Sequence, residues 1–159
     1  MAADHDPVGN GYTLRRPASD AEWEAYHEIR REVDFEGSED DDPDENAPGN
    51  HPLVLLCAER PVGTIRIDSL HDGAAAFRLV AVSPREQGQG HGRILLREAE
   101  AFARSLGCGK AVVYATPEAA GFYDRAGYSE DPFDDQYFGG VVMMTKALHY
   151  AGYGPDHED

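Results

Sequence analysis

The sequence predicts a single α/β domain, and three observations support that prediction. The chain has 159 residues, enough for one core that buries roughly two-thirds of the unfolded chain's surface without disulfides or metal. Segments with strand-like alternation interchange with segments of helical spacing. Between residues 80 and 93 an apolar strand runs into a glycine-rich loop that opens a helix. We expect one domain over residues 1–159, with flexible tails at 1–10 and 150–159.

Each predicted element follows from a local pattern. Ser19 and Glu22 form a capping box that opens the first helix. Pro117 suits the first turn of a helix, and Gly107 suits the end of one. The breaker cluster at 47–52 leaves little room for another helix before the hairpin. The predicted elements are, in chain order, strand 12–16, helix 20–32, a hairpin of strands 53–59 and 62–69 turning at 60–61, strand 75–82, helix 92–106 with Glu100 on its polar face, strand 111–115, helix 118–125, a strand beginning at 127, and strand 137–148.

The glycine-rich loop predicts an anion site. Gly88, Gly90 and Gly92 alternate with larger residues, so the backbone amides can turn towards one point, and the positive end of the next helix dipole faces the same point. The spacing does not match the dinucleotide fingerprint, because Arg93 occupies the place of its last glycine. A P-loop is excluded as well, because no lysine occurs between residues 1 and 109.

Charge argues against a nucleic-acid partner. The formal net charge is -16, and nucleic-acid binding requires clustered basic residues that displace counterions. The segment 83–97 is an exception, since its three arginines face one glutamate and give it a local net charge of +2. The acidic loop over 34–50 has two open interpretations. It either attracts a cationic amine or is a solvated loop that aids solubility.

Cysteine usage and the termini favour a cytoplasmic protein. Cys57 and Cys108 are too few for a disulfide framework and lack metal-ligand spacing. The seven histidines are scattered, so no metal site is predicted. The sequence also has neither a run of eighteen apolar residues nor a signal-peptide pattern, so no membrane association is expected.

Two motifs together resemble those of the GNAT superfamily of N-acetyltransferases. The first is Gln87-x-x-Gly90-x-Gly92, preceded by Val80-x-Val82-x-Pro84, and the second is Phe122-Tyr123-x-x-x-Gly127-Tyr128. Their separation of about thirty residues and the elements between them also agree with the family. The resemblance implies a mixed, mostly antiparallel, twisted sheet of six to seven strands, flanked by about three to four helices.

The resemblance further implies an acetyl-CoA-dependent N-acetyltransferase that transfers its acetyl group directly to a primary amine. Tyr123 would be the general acid that protonates the departing sulfur, since a phenol with a pKa near 10 keeps its proton at neutral pH. Phe122, Tyr114 and Tyr128 are expected to be packing residues. The residues implied in binding acetyl-CoA are Val80, Ala81, Val82, Gln87, Gly88, Gln89, Gly90, His91, Gly92 and Arg93.

The sequence leaves several points open. The general base is Asp34, Glu36, Asp68, His71 or a water molecule. Thr116 stands where the family often has an asparagine that contacts the cofactor. The acceptor is a polyamine, an aminoglycoside, an amino acid, a lysine side chain or a protein N-terminus, and dimers are common in the family. A non-catalytic acyl-CoA sensor or interaction module, or an unrelated nucleotide-binding module, would be an alternative of another class.

Overall fold

A computed structural model describes residues 11–33, 46–130 and 141–148. The acidic residues 34–45, which include Asp34 and Glu36, lie outside this part, as do both predicted tails. The strands are β1 Tyr12–Arg15, β2 Asn50–Cys57, β3 Arg60–Ser69, β4 Ala74–Val82, β5 Lys110–Ala115, β6 Ser129–Glu130 and β7 Val142–Ala147. The helices are α1 Asp20–Val33, α2 His91–Ser105 and α3 Pro117–Arg125, and a single 3-10 turn covers Pro84–Glu86.

The strands form one seven-stranded mixed sheet in the order β1-β2-β3-β4-β5-β7-β6. β4 and β5 are parallel, whereas β1–β2, β5–β7 and β6–β7 are antiparallel. The paired residues of β4 and β5 run from Ala74 opposite Lys110 to Phe77 opposite Val113. Together with the three flanking helices, this arrangement confirms the predicted fold class.

The contacts group the chain into two compact units. Among the described residues, the first contains 11–33, 46–67 and 79–99, and the second contains 68–78, 100–130 and 141–148. In the first unit, α1 contributes the buried Tyr26 and Ile29, and the centre of β2 is an unbroken buried run over residues 52–56. In the second unit, the buried starts of β4 and β5 pair in parallel, and Tyr123 of α3, Tyr128 and Met144 of β7 are also buried.

Local chemistry explains most element boundaries. Ser19 Oγ accepts from the Glu22 backbone N–H at 3.1 Å, and Glu22 Oε1 accepts from the Ala18 N–H at 2.8 Å, so the predicted capping box opens α1. Thr116 caps α3 in a similar way, with Oγ1 accepting from Ala119 N–H at 3.3 Å. Gly107, two residues after the end of α2, has φ +88°, which is the left-handed conformation that ends helices.

The hairpin differs from the prediction at two points. Its turn lies at Ala58 and Glu59, with φ +52° and +70°, and not at residues 60–61. Two successive positive φ values define a type I′ turn, whose twist matches that of paired strands. In addition, β2 begins at Asn50, before Pro52. The strand tolerates that proline because the pairing with β1 starts only at Val54.

Candidate active site

The last part of β4 leaves the regular strand geometry where cofactor contacts are predicted. Leu79 has φ +57°, which is rare for a bulky side chain and bends the strand locally. Val80 and Val82 are half-buried, whereas Ala81 is buried. Ala81 lies close to β3, because a Cβ on Gly63 would be 3.0 Å from the Ala81 carbonyl oxygen. Glycine at position 63 therefore allows β3 and the end of β4 to approach each other closely.

The glycine-rich loop links β4 to α2 as predicted. The Gln87 side chain donates from Nε2 to the Val82 carbonyl oxygen at 3.0 Å and so ties the loop to the strand end. Gly88 and Gly90 have φ +82° and +89°, and a Cβ at either position would meet nothing within 4 Å. Both glycines and Gln89 between them are exposed. The loop thus has an open face with no side chain of its own at positions 88 and 90.

The first turn of α2 supplies donors for an anion. α2 begins at His91, and the first intrahelical bond joins Ile94 N–H to the Gly90 carbonyl at 3.3 Å. The preceding N–H groups, including those of Gly92 and Arg93, therefore have no partner within the helix. These amides and the helix dipole favour a negatively charged group at this place. The site is thus chemically suited to a phosphate or pyrophosphate.

His91 anchors the start of α2 through a buried polar network. Its Nδ1 lies 2.8 Å from the Tyr12 hydroxyl. Its Nε2 lies 3.4 Å from Glu86 Oε1 and has no hydrogen-bond partner among the described residues. Arg60 binds Glu86 with two N–H groups at 2.9 and 3.1 Å. Because the His91 ring is buried, only its backbone N–H is available to a ligand of the loop.

Two pKa shifts reflect this network. The Arg60 hydrogen bonds lower the pKa of the Glu86 carboxyl, so Glu86 stays ionised beside the histidine. Burial, followed by the neighbouring Cys57, raises the pKa of the Tyr12 phenol, so Tyr12 stays protonated. The protonated Tyr12 hydroxyl can therefore donate to His91 Nδ1, which lies 2.8 Å away.

The arginines of the loop region differ in their surroundings. Arg85 lies 3.3 Å from Glu32 of α1, and its side chain is largely exposed. Arg93 and Arg97 are exposed and lie four residues apart on α2, so they share one face of the helix. Neither has an ion pair with any described residue. These two cations explain how a locally positive surface persists in an acidic protein.

Tyr123, the predicted general acid, is buried in α3 with 7% of its surface exposed. Its ring centroid lies 5.2 Å from that of Phe122 and 5.6 Å from that of Tyr128, both edge to face. Burial raises the pKa of Tyr123 to about 12, above the value near 10 expected from the sequence. The phenol is therefore fully protonated at neutral pH.

Glu100 holds a second polar network behind Tyr123. The Tyr128 hydroxyl donates to Glu100 Oε2 at 2.8 Å, and the Lys146 ammonium donates to Oε1 at 3.1 Å. The ammonium also donates to the Ala126 carbonyl at 2.9 Å. Burial, and then the Glu100 charge, raises the pKa of Tyr128 well above its usual range. Helical spacing places Glu100 away from the apolar residues of α2, and the residue is nevertheless buried.

The remaining candidates have different surroundings. Asp68 forms an ion pair with Arg78 at 2.9 Å, and His71 is exposed in the turn before β4. Thr116 caps α3 with its side chain. Tyr114 is 47% exposed, so the expectation that it is a packing residue was wrong. Its position near the end of β5 is the signal that could have pointed to a functional role, because side chains at strand ends often line sites.

No set of three or more His, Cys, Asp or Glu residues that could hold a metal occurs within residues 11–33, 46–130 and 141–148. None of the described helices has the length and apolar character that spanning a bilayer requires.

Comparison with known proteins identifies the family. Residues 16–128 match the family model described as Acetyltransferase (GNAT) family. The match covers more than half of the chain, and the chain belongs to this family. It is therefore an acyltransferase, and the family relationship supports an acyl-CoA as its co-substrate.

Solved structures agree with the fold. A proposed N-acetyltransferase from Lactobacillus plantarum is similar with a TM-score of 0.70 and 26% identity, over 87% of this chain and 99% of that one. PaiA N-acetyltransferase from Thermoplasma acidophilum, in complex with coenzyme A, is similar with a TM-score of 0.67 and 16% identity, over 86% of this chain and 98% of that one. Spermidine N-acetyltransferase from Vibrio cholerae, in complex with CoA and spermine, is similar with a TM-score of 0.69 and 18% identity, over 87% of this chain and 96% of that one.

Proposed function

We propose that the protein is an acetyl-CoA-dependent N-acetyltransferase that acts on the primary amine of a small molecule or peptide. The observation that carries the proposal is the open glycine loop, where Gly88 and Gly90 adopt positive φ directly before the first N–H groups of α2, which have no partner within the helix. This loop suits the pyrophosphate of coenzyme A, and the half-buried strand end from Val80 to Val82 suits the pantetheine arm. CoA bound to the Thermoplasma and Vibrio proteins, which share the fold, supports the same co-substrate here.

The reaction requires no covalent intermediate on the protein. The amine nitrogen attacks the thioester carbonyl carbon, the new C–N bond forms, and the C–S bond breaks to release the CoA thiolate. The amine proton passes to a general base, for which the carboxylates of Asp34, Glu36 and Asp68, the imidazole of His71 and a water molecule remain the candidates. Direct attack is favoured because the glycine loop contains no cysteine that could carry the acyl group.

In this proposal, Tyr123 interacts with the sulfur atom of the departing CoA. With a pKa of about 12, the phenol is a weaker acid than a thiol of pKa about 8.5. We therefore infer that Tyr123 first donates a hydrogen bond to the sulfur. Such a bond strengthens as negative charge develops there, so it lowers the barrier more than it stabilises the bound thioester.

We further propose a cytoplasmic location. Cys57 and Cys108 are both free thiols, as expected in a reducing compartment.

An assay of free-thiol release tests the proposed function directly. Acetyl-CoA is incubated with the protein and a panel of primary amines, and the acetylated product is identified by mass spectrometry. Amine-dependent thiol release with matching product is the expected result. Tight acetyl-CoA binding without thiol release for any amine would instead support the non-catalytic acyl-CoA module.

A further inference from the structure

Three side chains that the proposed donor site does not use lie together in the second unit. Arg78 of β4 donates from Nε to Asp68 Oδ2 at 2.9 Å. The Arg78 guanidinium carbon lies 5.7 Å from the centre of the Tyr114 ring. The Asp68 side chain is only 9% exposed, whereas that of Arg78 is 40% exposed. A buried carboxylate and an aromatic ring thus hold a partly exposed guanidinium in place.

This arrangement leaves the outer edge of the guanidinium unused. Arginine has five N–H donors, and Asp68 uses the one on Nε. Within the described part of the chain, neither terminal nitrogen of Arg78 has a hydrogen-bond acceptor. The two terminal groups form a planar fork whose geometry matches a carboxylate, and a fork that is already oriented loses less side-chain entropy on binding.

The position of the cluster relates it to the reaction. Paired residues of β4 and β5 end with Phe77 opposite Val113, and Arg78 and Tyr114 are the next residue of each strand. Arg78 also lies only two residues before Val80, so the covalent chain keeps their Cα atoms within about 7 Å of each other. The fork therefore belongs to a residue that directly precedes, in the chain, the strand segment proposed to hold the pantetheine arm.

We propose that Arg78 binds a carboxylate of the acceptor, so that the acceptor is a small amine that also carries a carboxylate, such as an amino acid. Tyr114 supplies an exposed flat surface beside that carboxylate. The Asp68 charge balances Arg78, so binding depends on directed hydrogen bonds and not on a strong local field. This favours a single carboxylate over a polyanion, and the proposal rests on the proposed acetyltransferase function.

Matched acceptors test the proposal. Thiol release from acetyl-CoA is measured with a panel of amino acids and with their carboxamides, which keep the amine and the side chain but lack the negative charge. The wild type, Arg78→Gln and Arg78→Lys are compared, and Arg104→Gln, near the end of α2, serves as the control for loss of one positive charge. Acetyl-CoA affinity is measured separately by calorimetry, and circular dichroism confirms folding.

The wild type is expected to favour carboxylates over carboxamides. Arg78→Gln should raise the KM for the carboxylate acceptors by about tenfold or more, the usual effect of losing a charge-assisted hydrogen-bonded pair. The same variant should leave the carboxamide kinetics and the acetyl-CoA affinity unchanged. Arg78→Lys should have a KM for carboxylate acceptors between those of the wild type and Arg78→Gln, because lysine keeps the charge but not the fork. A role of Arg78 in folding alone would not change the ratio between the two acceptor types.

Four results would overturn the proposal. Equal activity on carboxylates and carboxamides, or an unchanged ratio in Arg78→Gln, would contradict it while leaving the acetyltransferase function intact. A loss of acetyl-CoA affinity in Arg78→Gln would place Arg78 at the donor instead. Absence of thiol release with every amine would overturn both this proposal and the proposed function.

Discussion

Replacing Gly90 by alanine separates the anion-binding role of the loop from its role in folding. Gly90 has φ +89°, and a Cβ there would meet nothing within 4 Å. The substitution therefore causes no clash and costs only the strain of a left-handed alanine, about 1–2 kcal/mol. The total stability of a domain is typically about 5–15 kcal/mol, so the variant should still fold.

Gly107 provides a matched control for Gly90. It has φ +88° and equally open surroundings, but it ends α2 and lies far along the chain from the loop. Gly107→Ala should therefore lose a similar amount of stability. For a chain of this size, both variants should melt lower by about 2–8 °C.

Affinity for coenzyme A should distinguish the two variants. A methyl group at position 90 would occupy the open face of the loop, where the pyrophosphate is proposed to approach the backbone. Calorimetry should show CoA binding weakened by about tenfold or more in Gly90→Ala and unchanged in Gly107→Ala. Equal CoA affinities in the two variants would refute the assignment of the loop as the pyrophosphate site.

Other substitutions test the role of Tyr123 and the buried network around Glu100. Tyr123→Phe should keep acetyl-CoA affinity but lower kcat by about a hundredfold or more in the thiol-release assay, and an unchanged kcat would reduce Tyr123 to a packing residue. Because burial raises the pKa of Tyr123 to about 12, the folded chain keeps a proton that the unfolded chain loses above about pH 10. The stabilisation that this retained proton gives the folded state is complete below pH 10 and is lost as the pH rises to about 12. Over that range the free energy of unfolding of the wild type should therefore fall by up to about 3 kcal/mol more than that of Tyr123→Phe. Equal alkaline urea-unfolding profiles would contradict this linkage. Lys146→Met leaves the buried Glu100 carboxylate without its cation. The free energy of unfolding, measured in urea, should fall by about 2–4 kcal/mol. A fall below about 1 kcal/mol would show instead that solvent screens the ion pair.

The elements that local chemistry determines were predictable from the sequence. The capping box at Ser19 and the stop at Gly107 set helix ends in the structure as they do in the sequence. The loop around Gly88 and Gly90 was also predictable, because alternating glycines between a strand and a helix leave few conformations that expose the amides.

The hairpin turn was harder to predict, because local composition misleads there. Ala58 and Glu59 adopt positive φ without being glycine or asparagine, and the prediction placed the turn at the adjacent proline. The energy of pairing β2 with β3 outweighs the strain of two left-handed residues. A propensity scale that considers each residue alone does not include this pairing energy.

Side-chain partners that are distant in sequence were not predictable at all. His91 and Tyr12 are 79 residues apart and yet form a hydrogen bond. Glu100 lies on a helix face that looks polar, but Lys146 and Tyr128 enclose it. The exposure of Tyr114 likewise depends on its position at the end of a strand. Such partners depend on the packing of whole elements, which a local pattern does not encode.

The central claim is that the glycine loop and the end of β4 bind an acyl-CoA in preference to other nucleotides. The most direct test is the melting temperature of the protein with saturating acetyl-CoA, ATP or NAD. A ligand at about a hundred times its Kd stabilises the folded state by about 2.7 kcal/mol, which corresponds to a rise of roughly 5–11 °C for a chain of this size. A rise of this size is expected with acetyl-CoA, and a much smaller one with ATP or NAD. Equal shifts with the three ligands would contradict it.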